Sequence, residues 1–245
     1  SYIQAYELVG KTFELLTMTD EGIRPVQAKA ELNCLAEPVS RLDLRGGWSF
    51  VRNFDHPFFV GEGKFQTGKS PKIKALGWRK LKDIRPGDLV AVAEEFPTFG
   101  AKSLLSQSEI KLLAYIIGDG GRKGKTTVRF TQQNNAQLDE FRRCVEENSC
   151  VLKYNSKYDW SVVSSRGGKG IPGSNQIMTL VRHHGVMGKG SHTKRVPQAI
   201  FRSPKADIAV FLSRLFSTDG WASVGRKNTS EIGYCSVSEG LARDV

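Results

Sequence analysis

Residues 111–121 read KLLAYIIGDGG and residues 211–221 read FLSRLFSTDGW, and what these two stretches share decides the fold. Each is an apolar, helix-forming run that stops at an Asp-Gly pair, Asp119-Gly120 and Asp219-Gly220, with the two corners 100 residues apart. A short basic stretch comes after each, RKGK at 122–125 and GRK at 225–227. Strand-like runs come next, TTVRFT (126–131) and EIGYCS (231–236), and each steps into a helix-forming segment, QLDEFRR (137–143) and EGLARDV (239–245). Helix, Asp-Gly, basic turn, strand, helix occurs twice, which marks a duplicated unit. Both corner helices are nearly all apolar, so each is expected to be buried on most of its circumference. Small residues four apart, Ala114 with Gly118 and Ser213 with Ser217, would let two such helices approach closely.

Outward from the corners, the helix starts are legible. Ser106 and Glu109 form an S-x-x-E capping box, which predicts a helix over 107–118. Ser203-Pro204 supplies a second start, an N-cap followed by Pro at the first helical position. RGGKGIPGS (166–174) and GKGSHTKR (188–195) read as Gly-rich basic loops. EEFPTFGAKS (94–103) breaks any continuing period and marks a boundary. Before it the chain reads as β-rich, with KTFELLT, PVSRLDL and DLVAVA as strands. Gly46-Gly47 suits a hairpin turn, Pro86-Gly87-Asp88 a turn into a strand over 89–93, and GEGKFQTGKSPK (61–72) a flexible surface loop.

Of the 245 residues 39% are hydrophobic and 25% charged, a globular composition. The longest apolar run, 112–118, is far too short to span a bilayer, so no membrane partner is expected. Four scattered cysteines without CxxC exclude a disulfide scaffold or a zinc ribbon, and point to a reducing, cytoplasmic setting. The net charge is +11, unevenly spread. Residues 1–100 carry 14 Lys and Arg against 13 acids, a net +1, and residues 101–245 carry 22 against 12, a net +10. An excess confined to one part is the footprint of a surface that neutralises phosphates, as in binding double-stranded DNA. Neither GxxxxGK[ST] nor a GxGxxG after a strand occurs, so nucleotide binding has no support.

An Asp-Gly pair can simply end a helix as a turn. Two of them at the ends of adjacent helices would place two carboxylates in a field already negative from the helix dipoles, which favours a cation. Hard oxygen ligands suit Mg²⁺, and in a basic surface they point to metal-assisted phosphodiester hydrolysis. The two segments resemble the paired LAGLIDADG motifs of homing endonucleases, over about 105–245. That resemblance implies two αββαββα halves meeting at the motif helices, with Asp119 and Asp219 holding two or more divalent ions. Arg214 stands where the family usually has Gly. Lys194-Arg195-Val196-Pro197, with Lys194 lying 25 residues ahead of Asp219, is similar to the family's K-x-[IV]-P step and implies a lysine near the attacking water. The expected DNA contacts are Arg122, Lys123, Lys125, Arg129, Gln132, Gln133, Lys157, Arg226 and Lys227. KYNSKYDW (153–160), with aromatics alternating with lysines, suits a strand on a DNA groove or an ordinary exposed strand.

The front part, DHPFFV (55–60) and WRKLKDIRPGDLVAV (78–92), resembles a conserved block of the all-β Hint fold of inteins. His56 then matches the histidine that helps activate the N-terminal splice junction, although Asn53 replaces the usual Thr. The implied organisation is a Hint-like splicing domain over 1–98, a linker over 99–104, and an α/β LAGLIDADG endonuclease domain over 105–245. The order fits an intein, and QAIFRSPKADIAVFL (198–212) and EIGYCSVSEGLARDV (231–245) look most like inteins of replicative DNA helicases. SYIQAY does not resemble the first splice block, and no closing His-Asn block is found. The expectation is therefore a fragment with an incomplete second half, unable to splice alone and open to a complementary C-terminal intein fragment. Two rivals stay open: a maturase-like or degenerate DNA-binding module without cleavage, and a splicing-only intein whose endonuclease has decayed.

Overall fold

The computed structural model describes residues 4–19, 21–32, 36–45, 47–66, 69–93, 99–123, 127–165, 175–188, 190–225 and 230–245, with backbone alone at 64–66, 69–72, 74 and 122–123. The RGGKGIPGS stretch lies outside the described residues. The chain divides into two compact units, Ser1–Pro97 and Thr98–Val245.

Strand-forming runs interrupted by turn residues build the first unit from antiparallel strand pairs, with one isolated parallel bridge, Val9↔Ala30, among the described residues. A hairpin joins β1 (Thr12–Thr19) to β2 (Gly22–Lys29), and a second joins β3 (Val39–Asp43) to β4 (Ser49–Asn53). Gly47, at a φ of 81°, supplies the left-handed residue that the second turn needs, and Leu44 N donates to Trp48 O across it. A third sheet has the order β6-β5-β7, from β5 (Pro57–Gln66), β6 (Lys69–Lys80) and β7 (Leu89–Val90). The loop expected over 61–72 is a correction: apart from 67–68, which are not described, those residues are paired strand. Glycine and lysine conceal the strand locally, and the long β5–β6 ladder supplies backbone pairing that single-residue preference does not show. Gly87, at a φ of 100°, makes the expected turn into β7, which is shorter than the run over 89–93.

The second unit has mixed α and β content around one apolar core. Its first helix, α1 (Gln107–Gly118), begins where the capping box places it: Ser106 Oγ accepts from Glu109 N at 3.2 Å and Glu109 Oε2 accepts from Ser106 N at 2.7 Å. Ile110 and the run 112–117 are all buried, so α1 is the axis of the core. After it come β8 (Gly120–Lys123), β9 (Thr127–Thr131), α2 (Asn135–Glu147), β10 (Cys150–Ser156), β11 (Asp159–Ser164) and α3 (Gln176–His183). The strands form one antiparallel sheet in the order β10-β11-β9-β8. Phe130 of β9 stacks on Phe141 of α2 with ring centroids 3.9 Å apart, and Tyr115 of α1 meets both rings edge-on.

A short α4 (Gln198–Phe201) leads to α5 (Lys205–Asp219), then β12 (Gly220–Val224), β13 (Ser230–Tyr234) and α6 (Glu239–Asp244). The repeat is therefore real but richer than the sequence suggested. Each corner opens into a hairpin, because the residues flanking each basic stretch pair as strand: Gly121↔Arg129 and Val224↔Ser230. Ser203 is not the cap of α5. Pro204 occupies that position, and the buried Ser203 Oγ donates to Ala199 O at 2.9 Å. Full burial of α5 is also corrected: its wholly buried residues are Asp207, Phe211 and Leu215, and Ser213 and Ser217 are exposed.

Candidate active site

The two corner helices lie side by side and in register. Near their N-terminal ends Gln107 Nε2 donates to Asp207 Oδ1 at 2.7 Å. At their C-terminal ends Gly118 abuts Thr218, where an added Cβ would fall 2.0 Å from Thr218 Oγ1. Both pairs join residue i to residue i+100, so the helices run parallel, related as the two copies of one unit. The small residue at the tight contact is Gly118; the exposed Ser213 and Ser217 have no part in it. Arg214, at the position where the resemblance leads one to expect Gly, turns aside. Its Nη2 donates to Glu140 Oε1 of α2 at 3.0 Å.

Both corners are built alike. Asp119 N closes α1 on Tyr115 O at 2.9 Å, and Asp119 O accepts from Thr131 N of β9. Asp219 O accepts from Cys235 N, one residue beyond β13, in the same way. A Cβ on Gly120 would fall 2.2 Å from Ile116 O, and one on Gly220 2.5 Å from Phe216 O, so neither corner admits a side chain there. The two carboxylates then emerge at neighbouring helix C-termini, each adding charge to the negative end of a dipole.

Burial pushes the Asp119 carboxyl above its ordinary range, and the charge of Asp219 adds to the effect; Lys194 and Gln132 act the other way. Gln132 Nε2 donates to Asp119 Oδ2 at 2.7 Å. Lys194 Nζ donates to Gly118 O at 2.9 Å and also to Ile117 O, which ties an ammonium to the end of α1. Burial lowers its pKa, opposed by Asp219 and Asp119. Tyr234 of β13 completes the cluster. Its phenol is pushed up to about 12 by burial and then by Asp219 and Asp119. Among the described residues no group of three or more His, Cys, Asp or Glu side chains converges on one point.

The other expected contacts are dispersed or already engaged. Arg129 Nη1 donates to Asp159 Oδ2 at 2.7 Å. Gln132 is turned inward, as above, and its neighbour Gln133 is exposed. KYNSKYDW is a hairpin, not one strand: Lys157 and Tyr158 form the turn between β10 and β11, with the ammonium 4.9 Å from the Tyr158 ring centre. Arg122 and Lys123 lie on β8, and Lys125, Arg226 and Lys227 lie outside the described residues. His56 belongs to the first unit, between β4 and β5. Its carbonyl accepts from Leu81 N at 2.9 Å, and burial and Arg52 lower the pKa of its ring.

Two site features escaped the sequence reading. Glu140 collects Tyr115 Oη at 2.6 Å, Lys111 Nζ at 3.0 Å and Arg214, joining α1, α2 and α5. Nothing in EFRR singles it out, because its partners are 25, 29 and 74 residues away. Tyr234 was visible only by aligning the repeats, where it stands opposite Gly220 as Phe130 stands opposite Gly120.

Residues 206–245 match a LAGLIDADG-like domain, which takes in most of α5, its corner and α6. The chain is 29% identical over 184 residues to the protein RecA of Mycobacterium tuberculosis, covering 72% of this chain and 23% of that protein. It is 27% identical over 216 residues to the replicative DNA helicase DnaB of Rhodothermus marinus, covering 85% of this chain and 21% of the helicase. A third relative, the replicative DNA helicase DnaB of Synechocystis, is 27% identical over 253 aligned residues, or 96% of this chain and 26% of the helicase. The chain thus spans about a quarter of the length of these relatives. The second repeat is thus similar to a LAGLIDADG-like domain. The set of relatives is consistent with an intein, as the sequence resemblance implied.

Proposed function

We propose that this chain is part of an intein whose second unit is a homing endonuclease, making a site-specific double-strand break in DNA by metal-dependent phosphodiester hydrolysis. One observation carries the reading: two parallel, in-register helices deliver Asp119 and Asp219 to one place, beside a lysine anchored on the end of α1. The order α1-β8-β9-α2-β10-β11-α3 supports an αββαββα half, and α5-β12-β13-α6 supports the start of a second. The division into 1–98, 99–104 and 105–245 belongs to the same reading.

The donor set fits a hard divalent ion such as Mg²⁺. Two carboxylates sit at neighbouring negative helix ends, and burial together with the charge of Asp219 disfavours the charged form of the half-buried Asp119 more than Lys194 and Gln132 relieve it. Bound by Asp119 and Asp219, such ions would activate water and neutralise charge on the scissile phosphate. The chain's own residues do the positioning. Gln132 fixes Asp119 through a hydrogen bond to Oδ2. Lys194, anchored on Gly118 O and acted on by both acids, is placed where it can hold an attacking water or steady a phosphate oxygen. The basic residues of the second unit, among them Arg122, Lys123, Lys125, Lys157, Arg226 and Lys227, draw the duplex in. In the first unit burial and then Arg52 lower the pKa of His56, which favours the neutral imidazole that could exchange a proton at a splice junction.

The test is cleavage of supercoiled plasmids carrying uninterrupted helicase or RecA genes, with and without Mg²⁺. Linear product from the parent chain, lost in Asp119→Asn and Asp219→Asn while duplex binding persists, is the expected result. Full cleavage by either variant would place the reaction elsewhere.

A further inference from the structure

The Tyr234 hydroxyl is buried, and no described residue makes a hydrogen bond to it. The ring itself is well placed. It stands opposite Gly220 in the β12–β13 ladder and packs on Phe216 of α5 with centroids 5.3 Å apart. The first repeat fills the corresponding position, opposite Gly120, with Phe130, which is fully buried. A benzyl ring therefore satisfies the packing at this corner, and the oxygen of Tyr234 is an addition that packing does not require. Burying a hydroxyl without a partner is unfavourable, so the group is held there only at the expense of the fold. Its surroundings are not apolar by accident of sequence: both Asp119 and Asp219 act on it electrostatically. Neither carboxylate makes a bond to it.

We infer that Tyr234 is a further ligand-contacting residue of the acid pair, its hydroxyl hydrogen-bonding to an oxygen ligand that enters between Asp119 and Asp219. That oxygen is a water carried by a divalent cation or an oxygen of a DNA phosphate; the phenol accepts from the first or donates to the second. The two repeats are then chemically unequal. The Asp119 corner has Gln132 on its carboxylate and a phenylalanine behind it, and the Asp219 corner has a phenol. The inference deepens the endonuclease reading by adding a residue to its site.

The experiment uses the full chain and Tyr234→Phe, which keeps the ring and removes the oxygen. Without metal or DNA, thermal unfolding of the variant should match the parent or rise slightly. A clear fall would mean that the protein itself uses the hydroxyl, and would overturn the inference. Calorimetric titration with Ca²⁺ alone then reports the water: a loss of about threefold to tenfold in affinity identifies that source. If Ca²⁺ binding is unchanged, the same loss in binding a duplex of uninterrupted helicase sequence, with Ca²⁺ present, identifies the phosphate. Parent-like behaviour in both titrations overturns the inference. Asp119→Asn serves as the control for the wider reading. A parent chain that binds cation and duplex but never cleaves under Mg²⁺ removes the endonuclease reading and leaves the Tyr234 comparison standing. Cleavage that depends on Asp119 but is indifferent to Tyr234→Phe in every arm does the reverse.

Discussion

Gly118 and Thr218 are 100 residues apart in sequence, yet a Cβ on Gly118 would lie 2.0 Å from Thr218 Oγ1 and 2.6 Å from Thr218 Cβ. This contact sits one residue before each motif aspartate. The spacing of α1 and α5 here therefore sets the separation of Asp119 and Asp219, and any side chain added at Gly118 must push the acids apart.

Gly118→Ala should destabilise the chain by about 1–3 kcal/mol, the range for overpacking a closed contact, and should lower cleavage further than stability alone accounts for. Gly118→Ala with Thr218→Gly moves the missing volume to the other helix. Chemical denaturation should show the double variant more stable than the sum of its single changes. Strict additivity would mean that the two residues do not touch.

The raised pKa of Asp119 makes a statement about pH. The folded chain holds a proton on this carboxyl more tightly than the unfolded chain does. Without divalent cation, stability should therefore rise as the pH falls through the raised pKa, and the gain should be absent above it. Asp119→Asn removes the buried charge, so it should raise the unfolding temperature at neutral pH and flatten this dependence. Thermal melts in chelator, from about pH 4 to about pH 8, measure both.

Glu140 has the opposite sign. Its pKa is lowered to about 2 despite burial, chiefly through Tyr115, Lys111 and Arg214. The stability it supplies is present above the ordinary carboxylate pKa and is lost as the pH falls from there toward about 2. Glu140→Ala should cost about 2–3 kcal/mol, since it strands two cations and a phenol. Arg214→Met should cost less, because Lys111 and Tyr115 still satisfy the carboxylate. Equal losses would mean that the link from α2 to α5, and not the satisfied acid, is what matters.

Duplex binding should weaken steeply with salt, with a log–log slope of about −0.9 for each phosphate neutralised. Lys153 and Lys157 are exposed on the β10–β11 hairpin. Glutamine at either should reduce the slope by about one unit if that hairpin lies on DNA. Unchanged slopes in both variants would remove the hairpin from the interface.

Much of this protein is determined by its sequence alone, wherever the signal is local. Ser106 and Glu109 start α1 because a capping box needs only four consecutive residues. The Asp-Gly corners are legible because each is a helix end and a turn, written in neighbouring residues, and the repeat exposes them by comparison with each other. The asymmetry of charge needs only counting. Tertiary structure decided what depends on approach between distant residues. It turned 61–72 into paired strand, since a ladder partner supplies what glycine and lysine do not prefer by themselves. It turned Gln132 onto Asp119, Arg129 onto Asp159 and Arg214 onto Glu140, each a side chain whose partner lies far along the chain or across a hairpin. It made Gly118 and Thr218, and not Ser213 and Ser217, the point of closest contact, because which face of α5 meets α1 is set by the packing of the whole core and is not written in either helix.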